Sequence, residues 1–384
     1  MRHLKTPLPK NIFIMDRQRM KKKLFSIILY LLFCLALLFG VSEITCRTIL
    51  RKKIVLFPRF HTSAKYGDYT IRRLLPNAHF YHQSVDGMWE FKINNQGFRT
   101  THNYIYENTN GAFRVICMGD SHTEGFESDQ NKTYSEILNA YLKKNGITGE
   151  VLNAGISGFG TAEALVFLEN EAYKYRPDVI ILGFFANDFD DNLKSDLFRL
   201  KTNRLIETSY YHAPAVQILD KINRIPLLRW LSQHSYAYSF AFNTVWNMKK
   251  KMLYNEKQNE MMTEYAIKQN DTMDVREKKN ELCLALLSRM YEFCRERNIF
   301  FIILDIPQLG CNGKAFNSSI PSKLEEMFRT RCDLLICATN ILANYNDADD
   351  LFVPNGQRHI SEKTHWLLGR EAGNAIMNHG KEHN

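Results

Sequence analysis

The sequence predicts an α/β fold in which a parallel sheet carries helices on both faces. Short apolar segments at 114–118, 151–153, 179–182 and 300–304 alternate with segments of helical periodicity. Alternation of this kind is typical of parallel sheets with right-handed crossover connections. Turns rich in glycine, serine or asparagine follow the first three apolar segments. With 384 residues the chain is long enough to bury a full hydrophobic core.

The net charge of +9 comes almost entirely from the N-terminus. Residues 1–53 contain 12 lysines and arginines and two acidic residues, so residues 54–384 carry a net charge of about −1. A domain without a basic surface is not expected to bind nucleic acid. No cysteine or histidine spacing resembles a zinc site, and the predicted chemistry requires neither a metal nor another cofactor.

The apolar run Leu24–Val41 predicts a membrane-spanning helix. It contains no charged residue, and a helix of this length spans about 27 Å, close to one bilayer hydrocarbon core. Lysines and arginines precede the run, so the positive-inside rule places the N-terminus in the cytoplasm. The predicted organisation is a basic cytoplasmic tail over 1–23, an anchor over 24–44 and an extracytoplasmic domain over 54–384, periplasmic in a Gram-negative cell. A cleaved signal peptide is the alternative, which the absence of a small-x-small cleavage site disfavours.

The remaining elements follow in order along the chain. Residues 54–110 read as short strands and turns, and the strand at 114–118 comes next. A capping box, Thr133-x-x-Glu136, then opens a helix, and further helices are predicted over about 161–175 and 275–297. Between them, residues 192–270 break the alternation and predict a mostly helical insertion, which could be a lid, a partner surface or an extra packing layer. The chain ends in a helix that extends to about Met377.

A serine at the end of the first strand is the leading candidate nucleophile. The strand at 114–118 runs into Gly119-Asp120-Ser121-His122-Thr123-Glu124-Gly125, which turns directly into a helix. This position exposes the hydroxyl of Ser121 at the edge of the sheet, beside the partial positive charge of a helix N-terminus.

Three further motifs contain residues that would complete an acyl-transfer site. The motifs are Asn153–Thr161, Gly183–Asp188 and His359–His365. Ligands bind at the carboxyl edge of open parallel sheets, where these motifs should meet. There the backbone N–H groups of Ser121 and Gly158 and the side-chain amide of Asn187 could form an oxyanion hole. His359 would take the serine proton as general base.

These four motifs, in this order, resemble those of the GDSL/SGNH hydrolase family. The resemblance covers about residues 89–375 with the insertion set aside, and Ile93–Arg99 is similar to a segment of membrane-anchored bacterial members. It implies a flavodoxin-like three-layer α/β/α sandwich with a parallel sheet, and hydrolysis of carboxylic esters. By the same resemblance Ser121 is the nucleophile, Gly158 and Asn187 are oxyanion donors and His359 is the base.

One position departs from the family pattern. The family usually has an acidic residue three positions before the histidine, and Gly356 occupies that place here. Asp350 or Asp349 could reach the imidazole through a shifted loop. A backbone carbonyl could hold the ring instead, or the enzyme could work as a dyad. Loss of the acid of a catalytic triad can lower the rate by a factor of about 10⁴.

The sequence therefore predicts an anchored serine esterase that forms an acyl-enzyme outside the cytoplasm. Its location suggests small acyl groups, such as acetyl, on envelope polysaccharides as substrate. Two alternatives stay open. The same serine chemistry could transfer the acyl group to a sugar hydroxyl, or the departure at Gly356 could mark a non-catalytic glycan-binding module.

Overall fold

A computed structural model describes residues 10–382, apart from Phe57, Arg59, 109–110, Ala215, 269–274, 311–314, 346–349 and 356–358. The chain opens with a long helix, α1 (Lys10–Thr48). The part of α1 from Arg19 to Thr48 has a mean hydropathy of 2.8 in its most apolar window, and that window is not buried against the rest of the chain. By length and composition α1 can therefore cross a membrane, a property that it shares with signal sequences.

Two hairpins precede the central sheet. Their strands are β1 (His61–Tyr66), β2 (Tyr69–Leu74), β3 (His79–Gln83) and β4 (Met88–Lys92). Strands β1 and β2 pair antiparallel, as do β3 and β4. The predicted short strands and turns over 54–110 are thus two hairpins joined by loops.

The first half of the α/β domain follows the predicted alternation. Its elements are β5 (Phe113–Gly119), α2 (Ser121–Glu124), α3 (Tyr134–Lys144), β6 (Gly149–Gly155), α4 (Thr161–Asn170), β7 (Val179–Phe184) and α5 (Asp188–Ser195). The hydroxyl of Thr133 accepts a hydrogen bond from the Glu136 N–H, so the predicted capping residue does begin α3.

The insertion begins with a hairpin that the sequence did not reveal. Its elements are β8 (Phe198–Lys201), β9 (Arg204–Glu207), β10 (Tyr211–His212), α6 (Val216–Asn223), α7 (Pro226–His234) and α8 (Tyr236–Lys268). The turn residues Thr202 and Asn203 both have positive φ, which is the geometry of a two-residue hairpin turn. The prediction of a mostly helical insertion is confirmed over the described residues by α6, α7 and α8, and the β8–β9 hairpin is the part that it did not include.

The last part of the chain completes the sheet. Its elements are α9 (Val275–Arg295), β11 (Phe300–Asp305), β12 (Gln308–Leu309), β13 (Phe316–Asn317), α10 (Glu325–Arg329), β14 (Leu334–Ile336), α11 (Ala338–Ile341) and α12 (Glu362–Glu382). Strand β14 lies in the stretch that the sequence left irregular, because three residues are too few to show a period.

The central sheet has five parallel strands in the order β6–β5–β7–β11–β14. In chain order this is the 2-1-3-4-5 arrangement of flavodoxin-like folds, which confirms the expected architecture. Gly119 of β5 pairs with Gly155 of β6 and with Gly183 of β7. The three loops that carry the first three motifs therefore leave the sheet at the same level.

Alternate side chains of each strand enter two separate cores, which makes the domain three-layered. On one face Ile116, Leu152 and Ile180 pack against residues of α4 and α9. On the other face Val115 and Ile181 pack against residues of α3 and α12. Because both faces are covered, the strands are continuous apolar runs rather than alternating ones.

Candidate active site

A sharp turn after β5 presents Ser121. The carboxylate of Asp120 caps α2 by accepting a hydrogen bond of 2.8 Å from the His122 N–H. Gly119 has φ +151°, and a Cβ there would lie 2.7 Å from the carbonyl oxygen of Gly183. Only glycine therefore lets the strand turn this closely against its neighbour.

His359 lies directly against the candidate nucleophile. Its Nε2 atom is 2.9 Å from Oγ of Ser121, within hydrogen-bonding distance. The imidazole is buried and packs on Phe126 and His122, with ring centroids 4.5 and 4.8 Å apart. The two residues are 238 positions apart in the sequence. The arrangement matches the nucleophile–base pair of serine hydrolysis.

Gly158 lies on the neighbouring loop in a conformation that favours glycine. Its φ is +81°, and a Cβ at this position would lie 2.5 Å from Nη2 of Arg72. The guanidinium of Arg72 in turn donates to the carbonyl oxygen of Ser157. Glu124, one turn after Ser121, accepts hydrogen bonds from both the N–H and the hydroxyl of Ser157. The loop that carries Gly158 is thus fixed on two sides.

Asn187 follows β7 at the same edge of the sheet. Its amide nitrogen donates to Oδ2 of Asp191 at 2.7 Å. Burial raises the pKa of Asp120 to about 7, and hydrogen bonds from His122 and Asn187 oppose that rise. The Asn187 amide therefore lies between Asp191 and the turn of the nucleophile. One of its two hydrogens serves Asp191.

The acidic residues expected to orient His359 do not occupy that role where they are described. Asp350 is 77% exposed, and its Oδ2 pairs with Nζ of Lys363 at 3.1 Å. Its carboxylate is drawn to solvent and to α12, away from the imidazole. Asp349 and Gly356 lie outside the described residues.

A different acid, Glu127, faces the imidazole. Oε2 of Glu127 is 3.7 Å from Nδ1 of His359, and its Oε1 is 3.9 Å from Nε2 of His82. The carboxylate is fully buried, and none of these atom pairs is close enough for a direct hydrogen bond. Nδ1 of His359 and both Glu127 oxygens have no hydrogen-bond partner among the described residues.

Glu127 was not predicted from the sequence, because the orienting acid was expected among the residues just before His359. Glu127 instead lies six positions after Ser121, in a backbone conformation with φ +59°. The sequence held one indication of this role. Glu127 is an acid close to Ser121 in the chain, and Gly356 occupies the position of the family's usual acid. The contribution of His82, from the β3–β4 hairpin, had no sequence signal.

The same hairpin also supports the loop before His359. Asp86 accepts hydrogen bonds from the backbone N–H of Asn355 at 3.0 Å and from its side-chain amide at 2.9 Å. Two residues before Asn355, the Val353 N–H donates to the carbonyl oxygen of His359 at 2.9 Å. The residues before the α/β alternation are therefore part of the site's support.

His122 forms a neutral wall of the site. Its ring centroid is 4.1 Å from that of Phe185, and the side chain is buried. Burial holds the pKa of His122 well below the usual value for histidine, with a further contribution from His359.

Arg99 holds the turn that follows the nucleophile. Its guanidinium donates to the carbonyl oxygens of Glu124, Gly125, Ser128 and Glu90. The side chain is 1% exposed and lies 3.6 Å above the ring centroid of Phe91. These bonds fix the backbone on either side of Glu127.

Replacement of Arg99 by methionine is expected to lower the free energy of unfolding by about 3–5 kcal/mol, because buried carbonyls lose a charged donor. Urea denaturation of the detergent-solubilised chain measures this. The control is Arg370→Met at an exposed position of α12, which should change stability by less than about 1 kcal/mol. Equal stability of the two variants would show that the Arg99 bonds contribute little.

Three solved structures illustrate what the chain is similar to. The lipase/acylhydrolase from Enterococcus faecalis has 13% identity and a TM-score of 0.38, covering 70% of this chain and 96% of that one. The esterase EstA from Pseudoalteromonas sp. has 12% identity and a TM-score of 0.34, covering 69% and 97%. AlinE4, an SGNH-hydrolase family esterase, has 14% identity and a TM-score of 0.32, covering 70% and 96%. Similarities at this level carry no argument about substrate.

The comparison with family models is more specific. The model of the GDSL-like Lipase/Acylhydrolase family matches residues 117–314, slightly more than half of the 384 residues. The match includes Ser121, Gly158 and Asn187, whereas His359 lies beyond its end. A search of curated proteins gave no match. The chain belongs to the GDSL-like lipase/acylhydrolase family and is an ester hydrolase by class.

Proposed function

We propose that the chain hydrolyses carboxylic esters through an acyl-enzyme on Ser121, with His359 as general base. The observation that carries this proposal is the separation of 2.9 Å between Ser121 Oγ and His359 Nε2. Membership of an acylhydrolase family supports ester hydrolysis as the reaction class.

The reaction proceeds in two halves. His359 removes the proton of Ser121 as Oγ bonds to the carbonyl carbon, and the imidazolium then returns that proton to the departing alkoxide. Water enters the vacated place, and His359 removes a proton from it as the water oxygen bonds to the acyl carbon. Collapse of this second tetrahedral intermediate breaks the bond to Oγ, which takes the proton back from His359 as the acid leaves. No redox step is required.

Gly158, Asn187 and the Ser121 N–H are the proposed oxyanion donors. The positive φ of Gly158 and the shared level of the three strand ends support this assignment. The amide of Asn187 donates to Asp191 and also hydrogen-bonds Asp120, so as an oxyanion donor it would turn one of its two hydrogens from these carboxylates to the substrate. Each such donor contributes roughly 3 kcal/mol to transition-state stabilisation.

Glu127 is proposed as the positioning residue that replaces the missing acid. Its carboxylate is fully buried and lies on the Nδ1 side of His359, opposite the side that faces Ser121. A small rotation brings the two groups into hydrogen-bonding distance, since catalytic hydrogen bonds are often longer before substrate binds. The negative charge then stabilises the imidazolium that forms in each half-reaction.

The catalytic domain is proposed to lie on the extracytoplasmic side of a membrane. The apolar composition of α1 and the basic residues before it support an uncleaved anchor in this orientation. An enzyme held at an envelope membrane suggests small acyl groups, such as acetyl, on envelope polysaccharides as its substrate.

Product analysis with p-nitrophenyl acetate tests this function. The full-length chain should release p-nitrophenol and free acetate at a rate that added glycan leaves unchanged, because water is the proposed acceptor. Acetylated glycan in place of free acetate would identify an acyltransferase. A folded chain that releases no p-nitrophenol from this or longer acyl esters would contradict the proposal.

A further inference from the structure

The end of α1 is bound tightly to the insertion. The carboxylate of Glu43 accepts hydrogen bonds from the Ser235 hydroxyl at 2.7 Å and from the N–H groups of Tyr236 and Ala237 at 3.1 and 2.9 Å. Glu43 thus caps α8 in the way that an acidic side chain of the same helix would. Arg47, one turn further along, donates to Glu43 and to the carbonyl oxygen of His234.

Apolar packing reinforces these polar contacts. Cys46 of α1 is buried in one cluster with Ile54, Leu56 and Tyr236. The guanidinium of Arg47 also lies 5.0 Å from the ring centroid of Tyr236. The last two turns of α1 are therefore part of the folded domain, and α1 is rigidly attached to the insertion.

This attachment determines how far the insertion lies from the hydrocarbon core of a bilayer that α1 would span. Glu43 and Arg47 follow the end of the apolar run at Val41 by two and six residues, or about 3 and 9 Å along the helix axis. The headgroup layer on each side of a bilayer is roughly 5–8 Å thick. If α1 spans the membrane, the junction of α7 and α8 lies at the level of the headgroups.

Helices α6 and α7, next to this junction, carry exposed apolar side chains. Ile218, Ile225, Leu227 and Trp230 are 49%, 49%, 64% and 55% exposed. We call these four residues the α6–α7 face. On the same two helices Val216, Leu219 and Ser232 are buried, so the exposed residues are directed away from the domain.

Basic residues accompany the α6–α7 face. Lys221, Arg224 and Arg229 lie on or between α6 and α7, against the single acid Asp220 in residues 216–234. The exposed cations of 51–53 follow directly after α1. Exposed tryptophan and leucine next to lysine and arginine are typical of segments that lie in a membrane interface.

We propose that the α6–α7 face inserts into the interfacial layer of the membrane that α1 spans, with anionic phospholipid headgroups on the neighbouring basic residues. This inference rests on the proposed anchor and is independent of the catalytic proposal. Continuity with α1 favours lipid over a protein partner, because the capped junction brings Trp230 to the headgroups whenever α1 is inserted. Trp230 stacks on His234, whose carbonyl oxygen binds Arg47. The catalytic domain is then held in one orientation on the membrane.

Tryptophan quenching by brominated lipid tests the proposal. The full-length chain is placed in nanodiscs of phosphatidylcholine and phosphatidylglycerol, with and without bromine on the upper acyl carbons. The chain has four tryptophans, of which Trp89 and Trp246 are buried and Trp366 is 43% exposed on α12. Brominated lipid should quench the tryptophan fluorescence of the parent. Trp230→Phe should lose most of this quenching, and the matched control Trp366→Phe should retain it.

Other outcomes overturn the proposal and separate its parts. Equal quenching in the parent and Trp230→Phe, or no quenching in a chain that remains in the nanodiscs, would show that the α6–α7 face does not touch lipid. Crosslinked dimers through the α6–α7 face without quenching would assign it to a second copy. Release of the chain by alkaline carbonate would refute the anchor itself. Hydrolysis of a soluble ester, measured on the same samples, reports on the catalytic proposal separately.

Discussion

Replacement of Ser121 by alanine is expected to lower kcat for ester hydrolysis by about 10⁵-fold or more, because it removes the oxygen that would form the acyl-enzyme. The variant should keep its fold, since Ser121 contributes a backbone carbonyl rather than its hydroxyl to the hydrogen bonds of the turn. Steady-state kinetics with p-nitrophenyl acetate measures the loss, and circular dichroism verifies the fold.

A second variant tests whether Ser121 and His359 act as one unit. His359→Ala should lose a similar factor, and the double variant should be no worse than either single one, because residues of one catalytic unit are strongly non-additive. Losses that multiply in the double variant would mean that the short contact between the two side chains is not a nucleophile–base pair.

Replacement of Glu127 by glutamine is expected to lower kcat by about 10²–10⁴-fold. Glutamine keeps the size of the side chain and removes the charge that stabilises the imidazolium of His359. KM should change little, because Glu127 is buried behind the histidine and is not placed to touch substrate. The measurement is the split between kcat and KM, together with recovery in Glu127→Asp.

Asp350→Asn is the matched control for Glu127→Gln. Asp350 is one of the two acids that the sequence offered for this role, and it is exposed and paired with Lys363. This variant should keep at least about half of the parent's kcat, since exposed ion pairs contribute little. A large loss for Asp350→Asn with none for Glu127→Gln would assign the positioning role to Asp350 and contradict the proposal for Glu127.

Much of the fold could be predicted from the sequence because both faces of the sheet are buried. Continuous apolar strands separated by helices leave few alternatives to a parallel sheet, and the observed strand order agrees. Strand β14 and the β8–β9 hairpin were missed for different reasons. The first is three residues long, and the second turns at Thr202-Asn203 without the glycine that usually marks such turns.

The candidate site was predictable where its residues follow strand ends and, for His359, where the motif resembles that of the family. Ser121, Gly158 and Asn187 come after adjacent strands, so topology alone brings them to one edge. Glu127 faces His359 from a turn, and His82 faces Glu127 from a separate hairpin, and no periodicity in the sequence encodes either approach. The role of Arg99 could not be predicted for the same reason, because the carbonyl groups that it binds are brought together only by the fold.

Labelling with a fluorophosphonate tests the central claim most directly. The probe forms a covalent bond to a serine oxygen only where a base and an oxyanion site activate it. Peptide mass spectrometry of the labelled full-length chain should place the adduct on Ser121, and His359→Ala should remove it. A folded parent that stays unlabelled, or an adduct on another residue, would contradict the assignment of Ser121 and His359 as the reacting pair.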